Sequence, residues 1–141
     1  AIENGTNSRL SEIQAAILNI KIKYLNKLIK RRKKIAEMYN SGIINSKIIK
    51  PYVNQNNKHV YHLYVVASKN RDLILKIMKE NKIQLGIQYP YPLHKMLAYK
   101  NSTYSRLKNT EKFSKKIFSL PIYPTLEDSK VKKIINILNR I

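Results

Sequence analysis

An α+β fold is predicted, a small sheet covered by helices. Three observations predict it. Apolar residues from Leu10 to Tyr39 recur every three or four positions, and no proline interrupts the first fifty residues. Residues 60–68 alternate with the two-residue period of a strand, and two later stretches return to the helical period. With 141 residues, the chain reads as one domain spanning residues 1–141, large enough to bury roughly two-thirds of its unfolded surface.

The elements follow in order. Leu10, Ile13, Ile17, Ile20, Tyr24, Leu28, Ile35 and Tyr39 mark one long helix over residues 8–41. Leu25, Ile29 and Ala36 widen its apolar stripe, and lysines and arginines fill most of the other face. Asn7 and Ser8 are N-cap types, Glu12 puts a carboxylate in the first turn, and Gly42 suits the position just past the C-terminus. Residues 43–58 read as a loop, broken by Pro51 and carrying the turn-forming run Asn54-Gln55-Asn56-Asn57. Residues 60–68 form the clearest strand. Tyr61, Leu63, Val65 and Ala67 face one way and Val60, His62, Tyr64 and Val66 the other, both partly buried, as in a central strand.

Asn70 then caps a helix over residues 71–81, with Leu73, Ile74, Ile77 and Met78 as its stripe. A second strand over residues 83–89 ends at Pro90, which has no N–H to give a ladder. Residues 91–103 form a loop with one helical turn around Met96. A helix over residues 110–119 is stopped by Pro121, and the last helix covers residues 126–140 with Val131, Ile134, Ile135 and Leu138 inward. Two strands are too few for a stable sheet. A third is expected around residues 47–53 or 119–123.

Composition narrows the function classes. The chain has no cysteine, so neither a disulfide framework nor thiolate chemistry is available, as suits a cytoplasmic protein. No apolar run approaches the ~18 residues of a membrane span. Lys+Arg of 28 against Asp+Glu of 8 gives a net charge of +20, enough for an appreciable positive field. Eight of those cations lie between Lys21 and Lys34, and ten tyrosines offer stacking faces. Together they make a basic nucleic-acid-binding module the alternative reading. The favoured one is a solvated helix face in a chain whose lysine, asparagine and isoleucine all have AT-rich codons. The three histidines show no metal-ligand spacing, so no metal site is expected. The three glycines form no phosphate loop, and paired carboxylates are absent. Glu127-Asp128 reads as ordinary complementarity to a helix dipole.

Two motifs carry chemistry. The first is Gly5-Thr6-Asn7-Ser8-Arg9-Leu10-Ser11-Glu12-Ile13-Gln14-Ala15-Ala16, which sets an amide and a guanidinium at the start of a helix, where free N–H groups and the dipole favour anions. The second is Gly86-Ile87-Gln88-Tyr89-Pro90-Tyr91-Pro92-Leu93-His94, with Tyr99 following. Together they resemble the DegT/DnrJ/StrS family of pyridoxal-phosphate sugar aminotransferases. The family's first pattern, approximately G-x-N-x-R-L-x-E-x-Q-A-A-x-L, is met at every fixed position from Gly5 to Leu18. Lesser matches lie at Val60 to Val66 and at Ser119 to Pro124, so the resemblance runs along nearly the whole chain.

The resemblance implies the small C-terminal domain of a fold-type-I aminotransferase, with an antiparallel sheet after a long connecting helix. It also implies that the large domain and its cofactor-binding lysine lie upstream of Gly5, outside this chain. The chain alone is therefore expected to be inactive and to bind no pyridoxal phosphate covalently. In the full enzyme the resemblance implies a homodimer that aminates a keto-sugar nucleotide, with glutamate as amino donor.

Residue by residue, Asn7 reads either as a helix cap or, by resemblance, as a ligand to the phosphate of the neighbouring subunit's cofactor. Arg9, a cation at the positive end of a helix, wants an anionic partner: Glu12 or the nucleotide-sugar pyrophosphate. His94, stiffened by two prolines, is implied to line the substrate pocket, with Tyr89 a weaker candidate of the same kind. Gln88 departs from the histidine many family members carry. His62 reads as a satisfied buried histidine and His59 as an exposed one. No lysine has a context that argues for Schiff-base chemistry. The face that would pack on the large domain should remain as an apolar patch and promote self-association through the long helix.

Overall fold

The computed structural model describes residues 10–99 and 106–141. Among these residues are five α-helices and a two-stranded antiparallel sheet: α1 Glu12–Ile22, α2 Leu25–Gly42, β1 Tyr64–Ala67, α3 Arg71–Glu80, α4 Lys108–Ser114, β2 Ile117–Leu120 and α5 Asp128–Arg140. Two 3₁₀ turns, Leu93–Lys95 and Leu97–Tyr99, flank Met96. The α+β class is therefore as the sequence predicts.

The long first helix is two helices. Ser11 caps α1, its side chain accepting from the Gln14 N–H at 3.3 Å, and the Ser11-x-x-Gln14 spacing is that of a capping box. The cap is Ser11, and Asn7 and Ser8, expected in that role, lie outside the described residues. Between the helices Tyr24 has φ −104 and ψ −1, values that leave the helical well for the bridge region. Only Lys23 and Tyr24 separate α1 from α2, and neither proline nor glycine marks the break.

The two helices differ in burial. Ile35, Ala36 and Tyr39 of α2 are buried, whereas α1 buries nothing: Ile13 is 75% exposed, Ile20 62% and Ile22 68%. Exposed apolar residues therefore lie on more than one side of α1.

Gly42 is the last residue of α2, and no glycine among the described residues has positive φ. Its value lies in its bare Cα. A Cβ there would come within 2.8 Å of Ile135 Cδ1, so glycine lets α2 and α5 approach closely. Asn139 of α5 closes that crossing, donating from Nδ2 to Gly42 O at 2.8 Å and accepting from Ile44 N at 3.0 Å.

β1 is shorter than the predicted strand. Tyr61 has φ 50, a left-handed conformation that ends extended pairing before Tyr64. His62 consequently lies outside the strand and is exposed, contrary to its reading as a buried histidine; His59 is exposed as expected. β1 pairs with β2 in the register Tyr64↔Leu120, Val65↔Ser119, Val66↔Phe118 and Ala67↔Ile117. The missing strand is thus β2, part of which was expected to be helix. Its run Ile117-Phe118-Ser119-Leu120 pairs in the ladder two residues after α4 ends, and Pro121 stops a strand instead of a helix.

The predicted strand over residues 83–89 reduces to one bridge, Gly86↔Ser119, and residues 47–53 contribute another, Ile49↔Ala67. A four-residue β2 ending at Pro121 offers few groups to pair, and Pro90 and Pro92 remove donors from the opposite segment.

The core joins α2, the sheet, α3 and α5. Val131, Ile134, Ile135 and Leu138 of α5 are all buried, as the helical period predicts, while in α3 Ile74 and Met78 are buried and Leu73 is exposed. Each such side chain contributes roughly 1.5–3 kcal/mol. Tyr39 and Tyr64 sit at the centre with ring centroids 5.0 Å apart. Their hydroxyls donate to Pro121 O at 2.8 Å and to Asn40 Oδ1 at 2.6 Å, and burial pushes both phenols above their ordinary range.

Candidate functional site

Of the four residues singled out by sequence, Asn7 and Arg9 lie outside the described residues. Tyr89 is 74% exposed on the segment that leads from Gly86 to the first 3₁₀ turn. His94 sits in that turn, with only 7% of its side chain exposed. Its Nε2 lies 3.2 Å from Glu111 Oε1 of α4, and Lys95 Nζ lies 3.6 Å from the same oxygen. The hydrogen bond from His94, joined by the charges of Lys95 and His94, holds the Glu111 carboxyl below the usual glutamate value. The prolines at 90 and 92 present the histidine, and α4 anchors it.

The start of the same segment is fixed separately. Gly86 exchanges both backbone hydrogen bonds with Ser119, at 3.1 and 2.7 Å. The Ser119 hydroxyl donates to Gln88 Oε1 at 2.6 Å. Gln88 lies back over Gly86, where a Cβ would come within 2.5 Å of its Nε2. The glycine of the motif therefore makes room for an amide two residues later. That amide is pinned to β2.

Beside this segment a groove of about 690 Å³ opens between the end of α3, residues 83–88, residues 119–123 and α5. Arg32 of α2 closes one end. Its Nη1 donates to Ile122 O at 3.0 Å, His62 O at 3.1 Å and Tyr61 O at 3.3 Å. One guanidinium thereby ties α2 to the segments before β1 and after β2.

The basic run is less free than it reads in sequence. Arg31 Nη1 lies 2.6 Å from Asp128 Oδ1, and Arg31 Nη2 donates to Leu126 O. Lys34 Nζ is 3.0 Å from Asp128 Oδ2. The Asp128 carboxyl is held below its ordinary value, first by the Arg31 hydrogen bond and then by Lys34. Asp128 is thus a clamp on α2 as well as a dipole partner. Two of the ten tyrosines, Tyr39 and Tyr64, are in the core. With Arg31, Arg32 and Lys34 engaged internally, the nucleic-acid alternative has no support. Sequence reasoning missed Arg32, Asp128 and the Ser119–Gln88 pair because their partners are 29 to 97 positions distant or were assigned to other elements.

Residues 2–139 match the DegT/DnrJ/EryC1/StrS aminotransferase family. Over 136 residues the chain is 39% identical to a dTDP-3-amino-3,6-dideoxy-alpha-D-galactopyranose transaminase of Aneurinibacillus thermoaerophilus, covering 96% of this chain and 38% of that protein. Its fold superposes on S. venezuelae DesV, solved in complex with a ketimine intermediate, with a TM-score of 0.92 and 32% identity over 98% of this chain and 38% of that one. It also superposes on a DegT DnrJ EryC1 StrS aminotransferase from Brucella abortus, with a TM-score of 0.90 and 32% identity over 96% of this chain and 37% of that one. The chain thus spans about 38% of the length of the curated relative it matches.

Proposed function

The chain belongs to the DegT/DnrJ/EryC1/StrS aminotransferase family, and from that membership we propose that it forms the small domain of an enzyme that aminates a keto-sugar nucleotide. The amino donor is glutamate, the cofactor pyridoxal phosphate, the assembly a homodimer and the compartment the cytoplasm. The observation that carries the reading is the likeness along almost the full chain to a protein caught with a ketimine intermediate.

The described residues do not by themselves fit the cofactor. None of their lysines is buried, and a lysine that forms a Schiff base needs a desolvated amine in a pocket. The proposal therefore assigns the anchoring lysine to the part of such enzymes that this chain does not span. This chain's share is positional. Asn7 is assigned to the phosphate of the neighbouring subunit's cofactor and Arg9 to the nucleotide pyrophosphate. Tyr89 and His94 are assigned to the sugar pocket, His94 steadied by Glu111.

A chimera tests this reading. The matching 38% of the Aneurinibacillus transaminase is replaced by this chain, and transfer of the amino group from glutamate to the dTDP-linked keto sugar is followed. Activity is expected, together with weakened cofactor retention in Asn7→Ala. A folded, cofactor-loaded chimera with no transfer to any keto-sugar nucleotide overturns the reading.

A further inference from the structure

We propose that the groove between the end of α3 and α5 binds an amphiphilic anion, an alkyl chain ending in a phosphate monoester. The starting point is Lys82, which has φ 61. It stands just past the C-terminus of α3, where Lys82 N–H reaches Lys79 O and Ile83 N–H reaches Met78 O, both at 2.9 Å. This is the paired closure in which glycine, or sometimes asparagine, is the usual occupant, because a Cβ is disfavoured there. A lysine in that place is an outlier that the turn itself does not call for, and such outliers collect at functional sites.

The backbone conformation puts the Lys82 side chain on the wall of the groove, and also on a smaller hollow next to it that Lys79 lines. Two further lysines line the same groove from α5. Lys130 and Lys133 are one turn apart and so share a helix face. Lys133 Nζ lies 3.4 Å from Asn81 O, against the peptide that carries Lys82. Lys130 Nζ has only a 3.4 Å contact with Glu127 Oε1, both groups largely exposed, an arrangement of little energetic weight. The Lys82 ammonium group has no hydrogen bond or ion pair among the described residues.

Apolar side chains also line the groove, among them Leu85, Leu120 and Ile134, and no carboxylate among the described residues lines it. Its volume falls in the range of small-molecule sites. A bare anion would leave the apolar lining uncovered, and a neutral alkyl chain would leave the Lys82 ammonium without a partner. An alkyl phosphate answers both. Lys133 meanwhile compensates the negative end of α3, which would otherwise oppose the anion.

The test uses octyl phosphate with the 141-residue chain at about 150 mM salt, where screening limits diffuse attraction to so basic a protein. Backbone amide shifts report the location. Saturable shifts are expected at residues 82–86 and 119–122, with inorganic phosphate and octanol far weaker. Lys82→Gly should weaken binding about tenfold, the effect of losing one charged hydrogen bond, while its melting temperature stays level or rises because glycine suits the turn. Lys130→Gln, at an exposed position, should weaken binding with no change in melting temperature. Inorganic phosphate or octanol binding as well as octyl phosphate overturns the proposal. So do shifts confined to α1, or unchanged affinity in both variants.

Discussion

Removing the Arg32 guanidinium should loosen the molecule more than any other change to its charged surface. The three carbonyls that it joins are not equivalent. Ile122 O, at 3.0 Å, is partly buried; His62 O, at 3.1 Å, is exposed; Tyr61 O, at 3.3 Å, is partly buried but near the limit of a hydrogen bond. Water can replace the arginine at His62 at little cost. At Ile122 a charged hydrogen bond worth about 1.5–3 kcal/mol is lost, and Tyr61 adds a fraction of another. Arg32→Ala should therefore cost about 2–3 kcal/mol. Arg32→Lys should cost about half as much, since an ammonium on a flexible stem cannot reproduce the planar fork. Urea unfolding followed by circular dichroism measures both. With m of about 1–3 kcal/mol/M, the alanine variant should lower the midpoint by roughly 0.7–3 M. A loss below about 0.5 kcal/mol, or a lysine variant as stable as the parent, would refute the reasoning.

Other expectations follow from the same contacts. The Asp128 carboxyl is held below its ordinary 3.8 in the folded state, so the stability it adds is complete above that value and is lost as pH falls through the lowered folded one. Asp128→Asn should lower the melting temperature near neutrality and flatten its decline as pH falls below that ordinary value, as calorimetry would record. Gly86→Ala should displace Gln88 from Ser119 at a cost below about 1 kcal/mol, since the obstructing atom is the end of a flexible side chain. The side-chain amide resonance of Gln88 would report the move. Ile13→Ser with Ile17→Ser should leave stability within about 0.5 kcal/mol, both residues being exposed, yet reduce self-association in sedimentation velocity.

What could be read from sequence divides by the range of the interaction. α3 and α5 were legible because an apolar stripe at the helical period is a local property, and all four inward residues named for α5 are buried. α1 was legible as a helix but not as an uncovered one, since periodicity reports conformation and not what packs against it. β2 was hidden because only two residues separate it from α4 and no turn residue announces the change. The second motif was legible as a segment, yet its pairing is one bridge at Gly86, a limit imposed by the shortness of β2. His94 was singled out, but its partner Glu111 is 17 positions away. Arg31 and Arg32 looked like members of a solvated run. Nothing in their neighbours distinguishes a guanidinium that reaches across the fold from one that faces water.

The crossing of α2 with α5 also governs when the fold can form. The bond from Asn139 to Gly42 spans 97 positions, and Ile35, Ala36 and Tyr39 share a core with Val131, Ile134 and Leu138. On a ribosome, α2 would emerge early and wait for its partner until almost the last of these residues had been made. Over that interval its apolar face stays open to water and to other nascent chains, the condition under which misassembly competes with folding. Closing so long a loop is also a slow route to a native contact. Replacing Asn139 by alanine would therefore leave the local helices intact while weakening the last contact that closes the crossing.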